Sequence, residues 1–426
     1  MRQTPHATTE FNGIKRRGIG FACTLCVAGF CLLMTSAVKA SCDDVGEKVV
    51  SATTGFGIGL FKEVVKQRPR KNVFLSPSSV AFALAMTYNG AAGTTQEDMG
   101  MTLGFADMDL HDVNRGHALL KEVLENPDPQ VQLEIANSLW ARKGIRFRPE
   151  FLAANRSFYD AEVMVLDFRD PGSLSAINGW VNRKTKGKID RIVDRIDPLS
   201  ILFLINAVYF KGKWTEPFDK NLTREHPFAL LDGRQKSHPM MFQSGRYRYL
   251  EGEGFQAVSL PYGEGRMSML VFLPSRDSSL HAFQTSLSKQ TWDDWMPRFR
   301  SMEGDIALPR LKLDDETTLN EALESLGMAI AFDRNRANFE GMCPSPPRLH
   351  IDQVRHKTFV EVNEEGTEAA AVTSVEMKAT AMPPAEEHFT MVVDRPFFFA
   401  IRDNETGTVL FVGSIVDPTW DGDKEG

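Results

Sequence analysis

The chain has 426 residues, of which 42% are hydrophobic, 25% charged and 10% aromatic, as in ordinary soluble globular proteins. These fractions exclude a disordered, collagenous or multi-span membrane chain. The formal charge of −7, from 49 Lys and Arg against 56 Asp and Glu, argues against a nucleic-acid-binding protein, and no Lys/Arg cluster offsets it.

The first element in chain order is an apolar run, Gly18 to Val38, which follows Lys15-Arg16-Arg17. A positive flank, an apolar stretch and small residues at its end predict a secretory signal peptide, residues 1–40, cut after Ala40. The run is long for a signal core, so an uncleaved membrane anchor is the alternative. Cleavage removes five basic residues and one acidic residue, which takes the net charge from −7 to −11. We therefore expect a secreted or extracytoplasmic protein, or one anchored through its N-terminus.

The cysteines predict neither a disulfide framework nor a metal site. Cys23, Cys26 and Cys31 lie in the apolar run, Cys42 follows it, and Cys343 stands alone far downstream. This spacing matches no zinc-binding pattern.

Helical patterns dominate the first half of the remaining chain. Phe56, Leu60, Phe61 and Val64 recur at helical spacing. Further helix starts are predicted at Ser76-Pro77-Ser78-Ser79, at Pro149 and at Asp170-Pro171.

Strands dominate from about residue 199 onward, as segments rich in β-branched or aromatic residues and bounded by Gly, Pro, Asn or Asp. They are Leu202 to Phe210, Ala257 to Leu260, Ser268 to Leu273, Gly304 to Leu308, His350 to Val362, Phe397 to Ile401 and Val409 to Ile415. No Gly/Ser-rich or Pro-rich linker divides the chain, so we predict one large α+β domain, residues 41–418. Residues 419–426 form an acidic tail that we expect to be disordered.

Catalytic signatures are absent from the sequence. It contains no nucleophile elbow, phosphate-binding loop, zinc-protease motif or dinucleotide fingerprint. Asp107, Asp109, His111 and Asp112 could suggest a metal cluster, but their spacing fits no metal loop, and a solvated turn before a helix explains them better. The absence of motifs does not by itself exclude an enzyme, but it favours a binding or inhibitory protein, so we expect no enzyme, no metal and no cofactor.

The segment from Glu361 to Pro384 alternates in character with a period of two. One set of residues is small and then apolar, and the intervening set is mostly polar or charged. The first set is Thr367, Ala369, Ala371, Thr373, Val375 and Met377. An edge strand, or a surface helix built on the alanines, would explain this pattern. The other interpretation is a segment that is a loop in one state and a central strand in another, because small residues need little space on entry between strands.

Five strings of residues identify the chain as a member of a known family by resemblance. They are Asn72 to Ser79; Asn89 to Thr95; Asn206 to Trp214 with Pro217-Phe218; His356-Lys357; and Asp394 to Phe397 with Phe411 to Gly413 and Asp417-Pro418. In this order and spacing they resemble the serpins, a family of serine protease inhibitors, over about Val45 to Thr419. The resemblance implies a helix-rich N-terminal half, a large five-stranded central sheet with smaller sheets, and an exposed reactive loop at about residues 364–388.

What the resemblance implies for mechanism fits the alternating segment. In serpins a protease attacks one bond of the exposed loop and forms an acyl-enzyme. The loop then inserts as a new central strand and distorts the protease before deacylation, so that the native fold is metastable. Glu364 opens the matching hinge, and a count of seventeen residues from there gives the scissile bond Thr380–Ala381. The full set of hinge residues is Glu364, Glu365, Gly366, Thr367, Glu368, Ala369, Ala370 and Ala371.

The resemblance also assigns roles in sheet opening. Ser76, Ser79, Asn206 and His356 correspond to a polar cluster under the strands that part, and Trp214 corresponds to the aromatic residue where insertion starts. Gly366 gives the backbone freedom to change direction. Thr367, Ala369, Ala371 and Thr373 would face inward on insertion. Val372 departs from the family's preference for small residues but should face outward, so at most it slows insertion.

The residue before the scissile bond indicates the target. Thr380 is small and β-branched, which suits an elastase-like or subtilisin-like pocket, whereas a trypsin-like protease could cut after Lys378. Between His111 and Glu125 only Arg115 and Lys121 are strong cations, so no heparin site is expected. We expect a monomer that binds serine proteases and no nucleic acid. A non-inhibitory serpin-fold binding or carrier protein is the alternative, which a bulky or charged hinge would have favoured.

Overall fold

The computed structural model describes residues 22–125, 128–346, 348–367 and 387–420, with side chains from Asp44 onward. The chain divides into two units, residues 1–44 and 45–426, and both β-sheets lie in the second. In the part of the chain described here, no helix has both the length and the apolar composition required to span a bilayer.

The part of the chain that the structure describes contains ten α-helices, three of which begin at starts predicted from the sequence. They are α1 Ala22–Gln67, α2 Pro77–Tyr88, α3 Thr94–Leu103, α4 Leu110–Leu124, α5 Pro149–Tyr159, α6 Gly172–Lys184, α7 Leu280–Ser286, α8 Lys289–Trp295, α9 Asn320–Leu323 and α10 Ala329–Phe332. A π turn, Glu324–Met328, joins the last two. The predicted starts at Ser76-Pro77, Pro149 and Asp170-Pro171 are confirmed by α2, α5 and α6.

The acidic turn before α4 is a helix cap. The carboxylate of Asp109 accepts a hydrogen bond from the backbone N–H of Asp112 at 2.7 Å, as an N-cap residue does. His111 is exposed and lies in the first turn of α4 itself, as does Asp112. Asp107 and Asp109 thus lie in the turn before the helix, as predicted, whereas His111 and Asp112 belong to the helix.

The strands form two sheets. They are β1 Val73–Leu75, β2 Val131–Arg142, β3 Glu162–Leu166, β4 Leu202–Lys213, β5 Arg224–Ala229, β6 Gln235–Gly252, β7 Phe255–Tyr262, β8 Met267–Pro274, β9 Arg300–Pro309, β10 Leu311–Thr318, β11 Gln353–Asn363, β12 Gly366–Thr367, β13 His388–Val392, β14 Phe397–Asp403 and β15 Val409–Ile415. Each strand predicted from the sequence is present, whereas seven others were not predicted: β1, β2, β3, β5, β6, β10 and β13.

The central sheet has the order β10-β11-β12-β4-β2-β3. Five of these are full strands, in agreement with the expected five-stranded sheet, and β12 is a two-residue strand between two of them. The other sheet runs β1-β15-β14-β8-β7-β6-β9-β13, with β5 paired to β6. The α+β architecture expected from the sequence is therefore confirmed.

Strand β4 is apolar on both faces because both faces are covered. Phe203 and Ile205 pack in one cluster with Ile177 of α6. Leu204 and Val208 point the other way, into the main core that contains α2. A strand that is buried on both faces has a continuous run of apolar residues in its sequence, and β4 has such a run. Asn206 interrupts that run on the α2 side, and it marks the polar cluster described below.

Candidate functional site: the hinge and the gap in the central sheet

Two neighbouring strands of the central sheet separate at one end. The parallel strands β4 and β11 pair from Phe203–Gln353 to Tyr209–Phe359. Beyond that point β12 lies between them. Its two residues pair antiparallel with Val362 and Asn363 on one side and with Lys213 and Gly212 on the other. The first residues of the predicted reactive loop therefore occupy the opening of a gap between β4 and β11.

Gly366 is required at the start of β12 by both conformation and space. Its φ is +147°, a value that side-chain-bearing residues rarely adopt. A Cβ atom here would lie 2.1 Å from the carbonyl oxygen of Gly212 and 2.6 Å from the Cα of Lys213. These are backbone atoms that cannot rotate away, so the chain turns into the gap only with glycine at this position.

Aromatic rings support the entry to the gap. Trp214 stacks on Tyr262 with ring centroids 4.4 Å apart and planes within 11° of parallel. The indole N–H of Trp214 donates to the carbonyl of Asn363 at 2.9 Å. The hydroxyls of Tyr262 and Thr367 are 2.8 Å apart, and Thr367 is fully buried. Trp214 thus lies at the place where β12 begins.

The turn that precedes β12 is held through its glutamates. The carboxylate of Glu364 is 2% exposed and accepts from Arg310 Nε at 2.8 Å and from the Thr223 hydroxyl at 2.5 Å. The carbonyl of Glu364 accepts from the backbone N–H of Phe218 at 2.8 Å. Glu365 forms an ion pair with Lys220. Sequence reasoning identified the two glutamates as hinge residues but not these partners, which lie 54 to 146 positions away in the chain.

The predicted polar cluster is assembled where β4 and β11 still pair. Asn206 of β4 donates to the Ser79 backbone carbonyl at 3.1 Å and accepts from His356 of β11 at 2.6 Å. The Ser76 hydroxyl donates to the carbonyl of Leu410 at 2.8 Å. Each of the four predicted residues is at most 1% exposed. Asn137 of β2, which the sequence analysis missed, accepts from Asn206 Nδ2 at 2.5 Å.

The hydrogen bonds of His356 fix its tautomer. The backbone N–H of Ser76 can only donate, and it lies 3.0 Å from His356 Nε2, so that nitrogen carries no proton. Nδ1 then bears the proton and donates to Asn206 Oδ1. Burial lowers the pKa of His356 from 6.5 to about 3. His356 is thus a neutral structural histidine that connects α2, β4 and β11, as the sequence analysis favoured.

The neutral state of His356 predicts a pH dependence of stability. Because the folded-state pKa is below the unfolded-state pKa, the unfolded chain binds more protons between about pH 6.5 and 3. The stability from the neutral ring is fully present above pH 6.5 and falls by about 1.4 kcal/mol per unit as the pH drops below it. We expect the urea midpoint of His356→Asn to vary less steeply with pH than that of the unmodified protein.

The control for this prediction is His281→Asn, because His281 is exposed. The slope must persist in that control. His117 is also buried, with a pKa lowered to about 4 by burial, so part of the slope remains in the His356 variant. Equal slopes for His356→Asn and the unmodified protein between pH 6.5 and 4.5 would contradict the prediction.

Several predicted site residues lie outside the described residues. These are Glu368, Ala369, Ala370 and Ala371 of the hinge and Thr380 and Ala381 of the reactive bond. The described residues of the hinge, Glu364–Thr367, are brought together with Trp214. The polar cluster lies further along the sheet, where β4 and β11 pair directly with each other at Asn206 and His356.

The comparisons with known proteins agree on the family. The family model "Serpin (serine protease inhibitor)" matches residues 51–418. Human serpin B8 is 36% identical over 87% of this chain and all of that relative. Human leukocyte elastase inhibitor is 33% identical over the same shares. The structure resembles that of the native thermophilic serpin tengpin, with a TM-score of 0.81 and 34% identity over 86% of this chain and 94% of that one.

Family membership also answers the question of catalysis. The family is described by inhibition of serine proteases, so the expectation that this chain is not an enzyme is confirmed. With the central sheet, the hinge at its gap and the match over most of its length, the chain belongs to the serpin family of serine protease inhibitors.

Proposed function

We propose that this serpin acts as a suicide substrate, cleaved at Thr380–Ala381 and then inserted between β4 and β11 to trap the acyl-enzyme. What supports the proposal is the position of β12, which is already hydrogen-bonded to both strands at the open end of the gap. Further insertion would extend an existing pairing and would not have to nucleate a new one. The chain between the hinge and the scissile bond has the small residues that such entry needs.

The register of β12 predicts where the rest of the loop would go. Thr367 is opposite Val362 and Gly212, so continued pairing would bring Thr373 opposite His356 and Asn206. These two side chains are hydrogen-bonded across the β4–β11 pair. Insertion would separate them, and the hydroxyl of Thr373 could replace part of the lost bonding. In this proposal, the hydrogen bonds of the polar cluster must therefore break before the loop can insert past Asn206 and His356.

For the target we propose an elastase-like or subtilisin-like serine protease. The small Thr380 side chain fits a shallow primary pocket, and a relative of this chain is named a leukocyte elastase inhibitor. Cleavage after Lys378 by a trypsin-like protease would shorten the inserted strand. In α4 the two cations are paired, Arg115 with Asp112 and Lys121 with Glu125, which supports the absence of a heparin site there.

The proposal predicts a covalent complex on mixing with protease. With neutrophil-type elastase or subtilisin, we expect a band that survives SDS at the summed mass of the two proteins. We also expect release of a peptide that starts at Ala381 and ends at residue 426. Denaturing gels and mass spectrometry of the peptide measure both. Protease with its active serine blocked serves as the control and should give neither product.

Two other outcomes would point elsewhere. Complete cleavage without the stable band, followed by a rise in heat stability, would mean that insertion works but these proteases are not the target. Cleavage without any rise would favour the non-inhibitory carrier. The small, uncharged residues 369–371 of the hinge argue against that alternative.

We also propose that residues 1–40 direct export. The support is the sequence of this segment, in which an apolar run follows three basic residues and ends in small residues. The family match begins after the segment, at residue 51. Determination of the N-terminal residue of the protein made by its own cells tests this. An N-terminus at Ser41 would support cleavage after Ala40, and an intact Met1 would favour the anchor.

A further inference from the structure

The last described residues of the chain lie next to the ion pair that holds the hinge. The family match ends at residue 418, and two more residues, Thr419 and Trp420, are described after it. From the sequence, both residues belong to a tail that is expected to be disordered. In the structure, Thr419 and Lys312 exchange hydrogen bonds of 2.7 and 2.8 Å, and the Trp420 ring lies over Arg310.

The path of this segment is fixed at several points before Trp420. The amide oxygen of Asn72 accepts from the backbone N–H of Val416 at 2.9 Å and of Asp417 at 3.0 Å. Lys236 forms an ion pair with Asp417. Together with the pairing of Thr419 and Lys312 at the start of β10, these bonds tie residues 416–419 to the body of the protein. Trp420 therefore follows directly on an anchored backbone.

Trp420 contacts one member of the hinge ion pair. Its ring centroid is 5.1 Å from the guanidinium carbon of Arg310, within the range of cation–π attraction. The same guanidinium donates to the buried carboxylate of Glu364 at 2.8 Å. A ring against the guanidinium excludes water, which strengthens the attraction between Arg310 and Glu364 and restricts the rotamers of the arginine.

The ring, and not its polar group, makes this contact. The indole Nε1 of Trp420 is buried and has no hydrogen-bond partner among the described residues. Phenylalanine at this position would therefore keep most of the interaction, whereas alanine would remove it.

We propose that Trp420 is a positioning residue for the inhibitory reaction. It holds the Arg310–Glu364 pair in place, and the pair holds the turn from which the reactive loop enters the gap. The hinge then stays at the opening of the gap until a protease cuts the loop, and premature insertion is slowed. This inference depends on the proposed function above for its biological effect, but the contact acts on the hinge whether or not a protease is present.

The first test measures, in the absence of any protease, how firmly the turn before β12 is held against the sheet. The backbone N–H groups of Trp214 and Phe218 donate to the carbonyls of Glu365 and Glu364, so their hydrogen exchange reports whether the turn stays docked. In Trp420→Ala we expect this exchange to be about fivefold faster, which corresponds to about 1 kcal/mol. Trp420→Phe should exchange like the unmodified protein.

The second test follows function and the role of Arg310. On incubation at 37 °C, Trp420→Ala should lose the ability to form the SDS-stable complex about fivefold faster than the unmodified protein. In an Arg310→Met background, replacement of Trp420 by alanine should change neither exchange nor this loss.

Three results would overturn the inference. They are unchanged exchange in Trp420→Ala, an alanine-like response in Trp420→Phe, or the same effect of Trp420→Ala with Arg310 already replaced. Failure of the proposed function is distinguishable, because then the unmodified protein itself forms no stable complex, while the exchange result stands on its own.

Discussion

Arginine at position 369 is expected to turn the inhibitor into a substrate. The register of β12 predicts that residue 369 faces the main core on insertion, opposite Val360 and Phe210, which are 0% and 1% exposed. Both of these described neighbours are apolar, so neither compensates the charge. Burial of an unpaired guanidinium costs several kcal/mol. If about 4 kcal/mol of this cost is added to the free-energy barrier for insertion, insertion slows about a thousandfold. Deacylation then releases the protease before the loop has inserted.

The matched control is arginine at the next position. Residue 370 is also alanine, and in the same register its side chain would face the other side of the sheet, opposite the buried Tyr209 and the half-buried Phe359, past which a long side chain has a route to water. We expect Ala369→Arg to be cleaved by elastase with hardly any SDS-stable complex, and Ala370→Arg to retain most of it. The ratio of complex to cleaved inhibitor on a denaturing gel measures this. Equal ratios in the two variants would show that the face of the strand does not matter.

The elements with strong local signals were predictable from the sequence. Ser76-Pro77 marks the start of α2 because proline at the first helical position needs no N–H partner. The run from Leu202 to Phe210 is apolar throughout because both faces of β4 are covered. Strand β10, Leu311–Thr318, was not predicted although its residues alternate in burial. Its second half is Asp-Asp-Glu-Thr-Thr, which lacks the apolar character that the pattern requires.

The sequence predicted which residues form the candidate site, but it did not predict which of them contact each other or what else they contact. The hinge and the polar cluster were identified by resemblance, and the structure brings together the polar cluster and the four described hinge residues, Glu364–Thr367. The partners of Glu364 carry no local signal, since Arg310 and Thr223 are ordinary polar residues in strands or loops far along the chain. The same holds for Asn137 beside Asn206 and for Trp420 beside Arg310. Such pairs follow from sheet register and chain path, which a single sequence does not encode locally.

Substitution of Gly366 by alanine is expected to expel β12 from the gap. The new Cβ would lie 2.1 Å from the Gly212 carbonyl oxygen, and the backbone would still need a φ of +147°. The turn from Glu364 must then shift, and the hinge loses its hydrogen bonds to β4 and β11. Since insertion would have to begin without this pairing, we expect the yield of SDS-stable complex to fall at least about tenfold, the equivalent of about 1.4 kcal/mol.

Gly187→Ala separates the steric effect from the conformational one. Gly187 also has positive φ, at +82°, but a Cβ atom there would contact nothing within 4 Å. Both variants therefore incur a backbone cost of about 1–3 kcal/mol for a side chain at positive φ, and only the hinge variant adds the clash with β4. Hydrogen exchange at residues 362–367 should be faster in Gly366→Ala and unchanged in Gly187→Ala. The same exchange and the same yield of complex in the two variants would contradict the prediction. The close approach of Gly366 to β4 would then not be what holds β12 in the gap, and other residues would have to open the gap.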